Sequence, residues 1–328
     1  MIEDFEKCDK AIALGLLSVL SEYFVGDHLS YEEEPVALGG GTVVSAYRFK
    51  LFPSLQQPGL RLILKIFPDD HDVAELKKSE WVSSVLRGVG VRVPVVHCVG
   101  LDLSLFGAPF LLEDFVCGRL LSTFPSFARL AILGESHARL HQLDSSRVIR
   151  LIEGHGASLG AYLASSVVPI RLRAAALEFP ELESVVEWCL ERPWLWAANL
   201  AVCHGDYHPG NILIDAGEIS GVIDWGFWLA NAGMDVAWSA TILRIGSWLR
   251  AGNCVDANAV DEGVNAYFCS YGSGGVVDIG GLRDSLVMSC LFALILNLRG
   301  WNRVLGCSLV REGLVARLKG LAGFELLD

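Results

Sequence analysis

The chain has 328 residues, of which 52% are hydrophobic and 20% charged, and its formal net charge is -12. That mix fills a large core and excludes a disordered chain, and the length fits two domains or one domain of two lobes. An acidic surface disfavours non-specific binding to nucleic acid or to anionic membranes; it tolerates a cationic substrate, although ordinary solubility is the simpler account of the charge.

Residues 8–24 place Ile12, Leu16, Val19, Leu20 and Tyr23 on one side of a helix. Strand-like segments follow: Val36–Leu38 before Gly39-Gly40-Gly41, Val43–Leu51 after it, and Leu60–Phe67, which carries Lys65. Pro53, Pro58 and Gly59 mark the turn between the last two. Glu75–Leu86 reads as a helix stopped by Gly88 and Gly90, and Val93–Leu101 and Phe110–Phe115 as two more apolar strands. The pattern is a five-stranded sheet with one inserted helix, an α+β arrangement. After Gly118 helices dominate: 126–143, with Leu130, Leu133, Leu140 and Leu143 at helical spacing, then most of 158–192, then everything from Asp235 on. Short strands at Leu200–Cys203, Ile212–Ile214 and Gly221–Ile223 lie between the helical regions. The boundary falls at Cys117-Gly118, giving domains 1–117 and 118–328, and a cleft between two such lobes is a usual place for a ligand.

None of the nine cysteines forms a C-x-x-C pair, and several lie in apolar stretches, as reduced thiols of a cytoplasmic protein do. Glu3, Asp4 and Glu6 ahead of a short apolar stretch do not make a secretory signal. Leu286–Leu298, interrupted by Ser289 and Asn297, is too short to span a bilayer and reads as a buried helix.

The most specific signal is His204-Gly205-Asp206-Tyr207-His208-Pro209-Gly210-Asn211, followed by Ile223-Asp224-Trp225-Gly226. Phosphoryl transfer asks a protein for positioning and charge neutralisation. One carboxylate must take or orient the acceptor's proton, and oxygen ligands must hold magnesium against the phosphates. An Asp and an Asn five positions apart on one loop, with a second Asp downstream, supply that set. Pro209 and Gly210 fix the loop's shape and argue against a helix that would set His204 and His208 on one metal.

The H-G-D-x-H-P-G-N-I-L and I-D-W segments resemble the aminoglycoside phosphotransferase and choline kinase-like family of small-molecule kinases. The resemblance covers nearly the whole chain by order of motifs and is concentrated between residues 202 and 226. It implies a protein kinase-like fold of two lobes, 1–117 binding nucleotide and 118–328 carrying catalysis and the acceptor. It implies Asp206 as catalytic base, Asn211 and Asp224 as Mg2+ ligands, His204 as a brace of the loop, and Asp235 as a second brace behind it. It also implies Lys65 on the phosphates of ATP or GTP, with an acidic partner from the next helix: Glu80, which lies beside an apolar face, is preferred to Glu75. Gly40, Gly41 and Thr42 fall where a loop meets phosphate, although three glycines also make a plain hairpin turn. The backbone of Asp114 and Val116 falls at the family's adenine hinge, where a plain connecting strand is the alternative.

His137 and His141 lie four apart on a helix with Glu135 on another face, and read as packed, hydrogen-bonded histidines rather than metal ligands. Trp238, Trp248, Trp301 and Phe292 read as core, with the lining of a substrate pocket as the alternative for some of them. The expected partners are a nucleoside triphosphate and a small hydroxylated substrate. An aminoglycoside-type antibiotic comes first; a macrolide, choline, homoserine or a sugar are the alternatives. A silent pseudokinase needs a broken motif, and none is broken. A protein kinase needs an activation segment, and Asp235 follows Asp224 too closely for one.

Overall fold

A computed structural model of the chain describes residues 13–18, 20–21, 29–38, 44–52, 59–68, 73–101, 106–197, 199–251, 257–274, 281–300 and 305–324. The chain divides into two compact units, residues 1–88 with 92–117, and residues 89–91 with 118–328. Among the described residues no helix is long and apolar enough to cross a membrane.

Unit 1 contains β1 (Ser30–Leu38), β2 (Ser45–Phe52), β3 (Leu60–Ile66), α1 (Val73–Gly88), β4 (Val96–Gly100) and β5 (Phe110–Asp114). The strands form one five-stranded sheet in the order β1-β2-β3-β5-β4, with every neighbouring pair antiparallel. Tyr47, Phe49 and Leu51 alternate along β2 onto the buried face and meet Leu62, Leu64, Cys98, Phe110 and Leu112. Leu16 and Leu20, from a helical stretch within the residues expected to be helical, cover the same face. Two strands depart from expectation at their ends. β1 starts at Ser30 rather than Val36, because it is the sheet's edge and mostly exposed, so its run of acids carries no apolar alternation. Edge strands tolerate charge, and here Glu32 pairs with Lys50 at 2.5 Å. β4 starts at Val96 rather than Val93, since Pro94 has no N–H to give a ladder.

Unit 2 runs through β6 (Arg119–Leu120), α2 (Ser126–His141), α3 (Ser145–Gly154), α4 (Ala164–Glu178), α5 (Glu183–Leu190), α6 (Trp194–Ala197), β7 (Leu200–Cys203), β8 (Ile212–Asp215), β9 (Glu218–Val222) and β10 (Trp228–Asn231). Four helices follow: α7 (Ala232–Ala251), α8 (Ala257–Ser273), α9 (Leu282–Leu298) and α10 (Ser308–Ala322). The core centres on α9, whose Val287, Leu291 and Leu294 are wholly buried. Two small antiparallel sheets, β6-β8-β9 and β7-β10, hold the loops between them. β6 and β10 are not foreseen from sequence; two and four residues are too few to show a period.

Helices α2 and α8 pack with almost no gap. A Cβ on Gly134 would lie 2.6 Å from the backbone nitrogen of Tyr271, so only glycine admits this approach.

Candidate active site

The turn from β7 to β8 carries Asp206 and Asn211. Gly205 sits there at φ +87°, a conformation that a side chain disfavours, and a Cβ on it would lie 3.1 Å from the Trp228 indole. The Asp206 carboxylate accepts the indole N–H of Trp238 at 3.1 Å on Oδ1 and the Asn211 amide at 3.4 Å on Oδ2. His208 Nε2 stands 3.4 Å from the same Oδ2, and its Nδ1 accepts the Gly210 N–H at 3.0 Å. Nδ1 being an acceptor, the neutral ring carries its proton on Nε2, facing the carboxylate. Burial acts to raise the Asp206 pKa, but the His208 hydrogen bond and the nearby His208, His204 and Trp238 groups outweigh it and leave it lowered. Asp206 is therefore ionised at neutral pH. Asn211 is buried and also donates to the Asp206 carbonyl at 3.0 Å.

His204 ties this loop to the segment bearing Asp224. Its Nδ1 accepts the Asp206 N–H at 3.1 Å and its Nε2 donates to the Ile223 carbonyl at 3.0 Å. The Ile223 N–H in turn donates to the Asn211 carbonyl at 2.9 Å. Asp224 itself is exposed and held at φ +59°. A non-glycine residue in this region costs of order 1–3 kcal/mol and persists where its surroundings over-determine it.

Behind the loop lies Asp235, on the first turn of α7 and 3% exposed. Its carboxylate accepts the His204 N–H at 2.6 Å, the Gly205 N–H at 2.9 Å, and Nε2 of His137 and His141 at 3.0 and 3.3 Å. Burial acts to raise its pKa, but His137 and His141 with their hydrogen bonds pull it well below the usual carboxylate range. The two histidines are hydrogen-bonded, as expected. Asp235, distant in sequence, is the carboxylate that joins them, with one of its oxygens within 4.8 Å of both.

In unit 1, Lys65 Nζ lies 2.7 Å from Oε1 of Glu113. Lys65 faces Leu111 across the β3–β5 ladder, and Glu113 is two positions further on the same face, the diagonal reach of a long side chain. Glu80, the partner expected from sequence, is exposed on α1, and the partner that stands beside Lys65 is Glu113. Asp114 spends its N–H on the Val95 carbonyl at 2.9 Å and its carboxylate on His97 at 2.7 Å. Val116 is half-buried. Gly40, Gly41 and Thr42 lie outside the described residues.

Thus His204, Asp206, Asn211 and Asp235 form one bonded network, to which Asp224 is joined through Ile223. Sequence reading missed the Trp238–Asp206 hydrogen bond, although Trp238, packed against the core as expected, stands one turn beyond Asp235 on α7. It also missed Glu113, a charge hidden in the apolar run Phe110-Leu111-Leu112-Glu113-Asp114.

The sequence profile of the phosphotransferase enzyme family matches residues 42–270, and the chain belongs to that family. It is a phosphotransferase, a kinase that phosphorylates hydroxyl groups. Among solved structures it is similar to a macrolide 2'-phosphotransferase type I, at 16% identity and TM-score 0.55 over 93% of this chain and 96% of that one. It is likewise similar to a thermostable mutant of aminoglycoside phosphotransferase APH(4)-Ia in complex with ADP and hygromycin B, at 16% identity and TM-score 0.55 over 93% of this chain and 96% of that one. A Plasmodium vivax ethanolamine kinase matches at 13% identity and TM-score 0.51, over 89% of this chain and 81% of that one. At these identities the likeness concerns the fold, which is kinase-like. No curated protein matches the sequence.

Proposed function

We propose that this enzyme transfers the γ-phosphoryl group of Mg-ATP to a hydroxyl of a small-molecule acceptor. The observation that carries the reading is the ionised Asp206, fixed on both oxygens by N–H donors beside a buried Asn211. The acceptor oxygen forms the new bond to phosphorus as the bond to the ADP leaving oxygen breaks, and the hydroxyl proton passes to Asp206. A carboxylate held this far ionised orients the hydroxyl first and takes the proton late, as a loose phosphoryl transition state requires. The amide oxygen of Asn211 and the carboxylate of Asp224 are hard oxygen donors that suit Mg2+. When bound there, the ion neutralises phosphate charge. His204 sets the spacing between those two segments, and Asp235 holds the loop from behind.

Unit 1 is the nucleotide-binding lobe in this reading. Lys65 meets the phosphates, the backbone of Asp114 and Val116 meets adenine, and Gly40, Gly41 and Thr42 belong to the phosphate loop. Adenine is favoured over guanine by the ADP in the hygromycin complex of a structural neighbour. Replacing Lys65 by Ala should lower kcat/KM by about 10²-fold, the usual size of one lost preorganised charge contact. Since that change also strips a cation from a buried carboxylate, which destabilises, the double variant Lys65→Ala/Glu113→Gln should recover stability but not activity. Turnover that returns with stability would remove Lys65 from the phosphates.

For the acceptor, the net charge of -12 and a neighbour bound to hygromycin B support an aminoglycoside-type antibiotic. Trp238 on Asp206 and Trp228 against Gly205 support a second reading, a larger apolar acceptor such as a macrolide. A nucleotide-consumption screen with Mg-ATP against aminoglycosides, macrolides and small amino alcohols separates them. A protein that consumes ATP with none of these, and shows no Mg-dependent thermal shift with ATP, is not the kinase proposed.

A further inference from the structure

Four side chains behind the catalytic loop remain without a role: His137 and His141, one turn apart on α2, and Tyr267 and Tyr271, one turn apart on α8. They pair in order, His137 Nδ1 with the Tyr267 hydroxyl at 2.8 Å and His141 Nδ1 with the Tyr271 hydroxyl at 2.7 Å. All four are buried.

The proton positions follow from chemistry. An ionised carboxylate only accepts, so each Nε2 facing Asp235 must carry a proton. Burial first, and His141 second, lower the His137 pKa to about 4, so that ring is neutral and its Nδ1 is unprotonated. The Tyr267 hydroxyl, which also contacts Ser239, then donates to it. At His141 the same kinds of partner stand on the same two nitrogens, Asp235 at Nε2 and Tyr271 at Nδ1. Asp235 thus receives N–H groups from His137, His141, His204 and Gly205. Four donors satisfy a buried carboxylate without a counter-ion.

Two histidines and an aspartate within 4.8 Å have the composition of a metal site. A metal needs the Nε2 lone pairs, and here those nitrogens are protonated towards Asp235 while the far nitrogens are engaged by tyrosines. The cluster is built for protons.

It also grips the residues on each side of Asp206. Asp235 fixes the two amides that precede it. The His137 ring stacks on Tyr207, the residue that follows, with centroids 4.2 Å apart and planes 20° from parallel. Tyr207 is tied further by its hydroxyl to Ser136 at 2.8 Å and by its carbonyl to Ser239 at 2.7 Å.

We infer that His137, held in one tautomer by Asp235 on one nitrogen and Tyr267 on the other, is a positioning residue that acts through Asp235 and Tyr207 to hold Asp206 in place. The link to catalysis rests on the proposed role of Asp206; the link to the loop does not.

The test uses the full chain. In wild type, 15N imidazole spectra should give His137 as the neutral Nε2–H tautomer, and metal analysis should find no stoichiometric zinc. His137→Leu should speed hydrogen exchange of residues 204–207 by at least about tenfold, the size of a lost hydrogen bond to a charged group. His137→Gln, which keeps an amide donor, should largely restore protection. Tyr267→Phe, the mildest change, should leave the His137 proton on Nε2, where Asp235 holds it. With Mg-ATP and any acceptor found by the screen, the Leu variant should lose kcat and keep KM for ATP. Bound zinc, the opposite tautomer, or a Leu variant with unchanged exchange at 204–207 would each overturn the inference. Failure to find an acceptor would count against the kinase reading and leave the exchange and spectral results standing.

Discussion

Replacing Asp206 by Asn will stop phosphoryl transfer and spare nucleotide binding. The substitution keeps the size of the side chain beside Trp238 and Asn211 and removes the charge that takes the proton. Positioned acid–base groups contribute about 10²–10⁴-fold, so kcat should fall by that much. Asp224→Ala should behave differently, since Asp224 is assigned to the ion that accompanies the phosphates. Nucleotide at roughly one hundred times its dissociation constant stabilises the protein that binds it by about 2.7 kcal/mol. The corresponding Mg-dependent rise in Tm should persist in Asp206→Asn and shrink in Asp224→Ala. Asn211→Ala, losing one neutral oxygen, should fall between the two. If Asp206→Asn alone abolishes the thermal shift, the roles of the two aspartates are exchanged.

What could be read in the sequence was what is local. Asp206, Asn211 and Asp224 lie within one short stretch, and loop, strand and turn hold them in sequence order. The strands of unit 1 announced themselves because Tyr47, Phe49 and Leu51 alternate with polar residues, and α9 because its apolar run has no charge to expose after Asp284. What escaped was decided by distance. Asp235 meets His137 and His141 across 98 and 94 residues, and no spacing rule spans such an interval. Glu113 was hidden for another reason: a carboxylate in an apolar strand is read as pointing outward until its cation is found on the neighbouring strand. β1 illustrates the converse case. Its acids are tolerated because the strand is an edge, and edges are set by the sheet order rather than by their own residues.

The same buried network makes the protein's stability sensitive to mild acid. An unperturbed histidine takes its proton near pH 6.5. In the folded protein His137 takes it only near 4, because burial first and His141 second oppose the charge, with Asp235 acting against them. Between these values the unfolded chain binds the proton and the folded chain does not, so stability falls as pH falls through that window. Below about 4 both states are protonated and this contribution flattens. The gap corresponds to roughly 3 kcal/mol at about 1.4 kcal/mol per pKa unit. Asp235 extends the decline to lower pH: its folded pKa is depressed, so the stability it contributes is present above the ordinary carboxylate value and is lost as pH falls towards its folded one. Urea midpoints measured from pH 7.5 to 4.5 should therefore fall steadily in wild type. His137→Gln cannot take a proton, and its midpoints should fall less steeply over the same range. They should not become flat, because His204, whose pKa burial also lowers, keeps its own share of the slope. A variant whose midpoints fall as steeply as those of wild type would mean that His137 is not neutral in the folded protein.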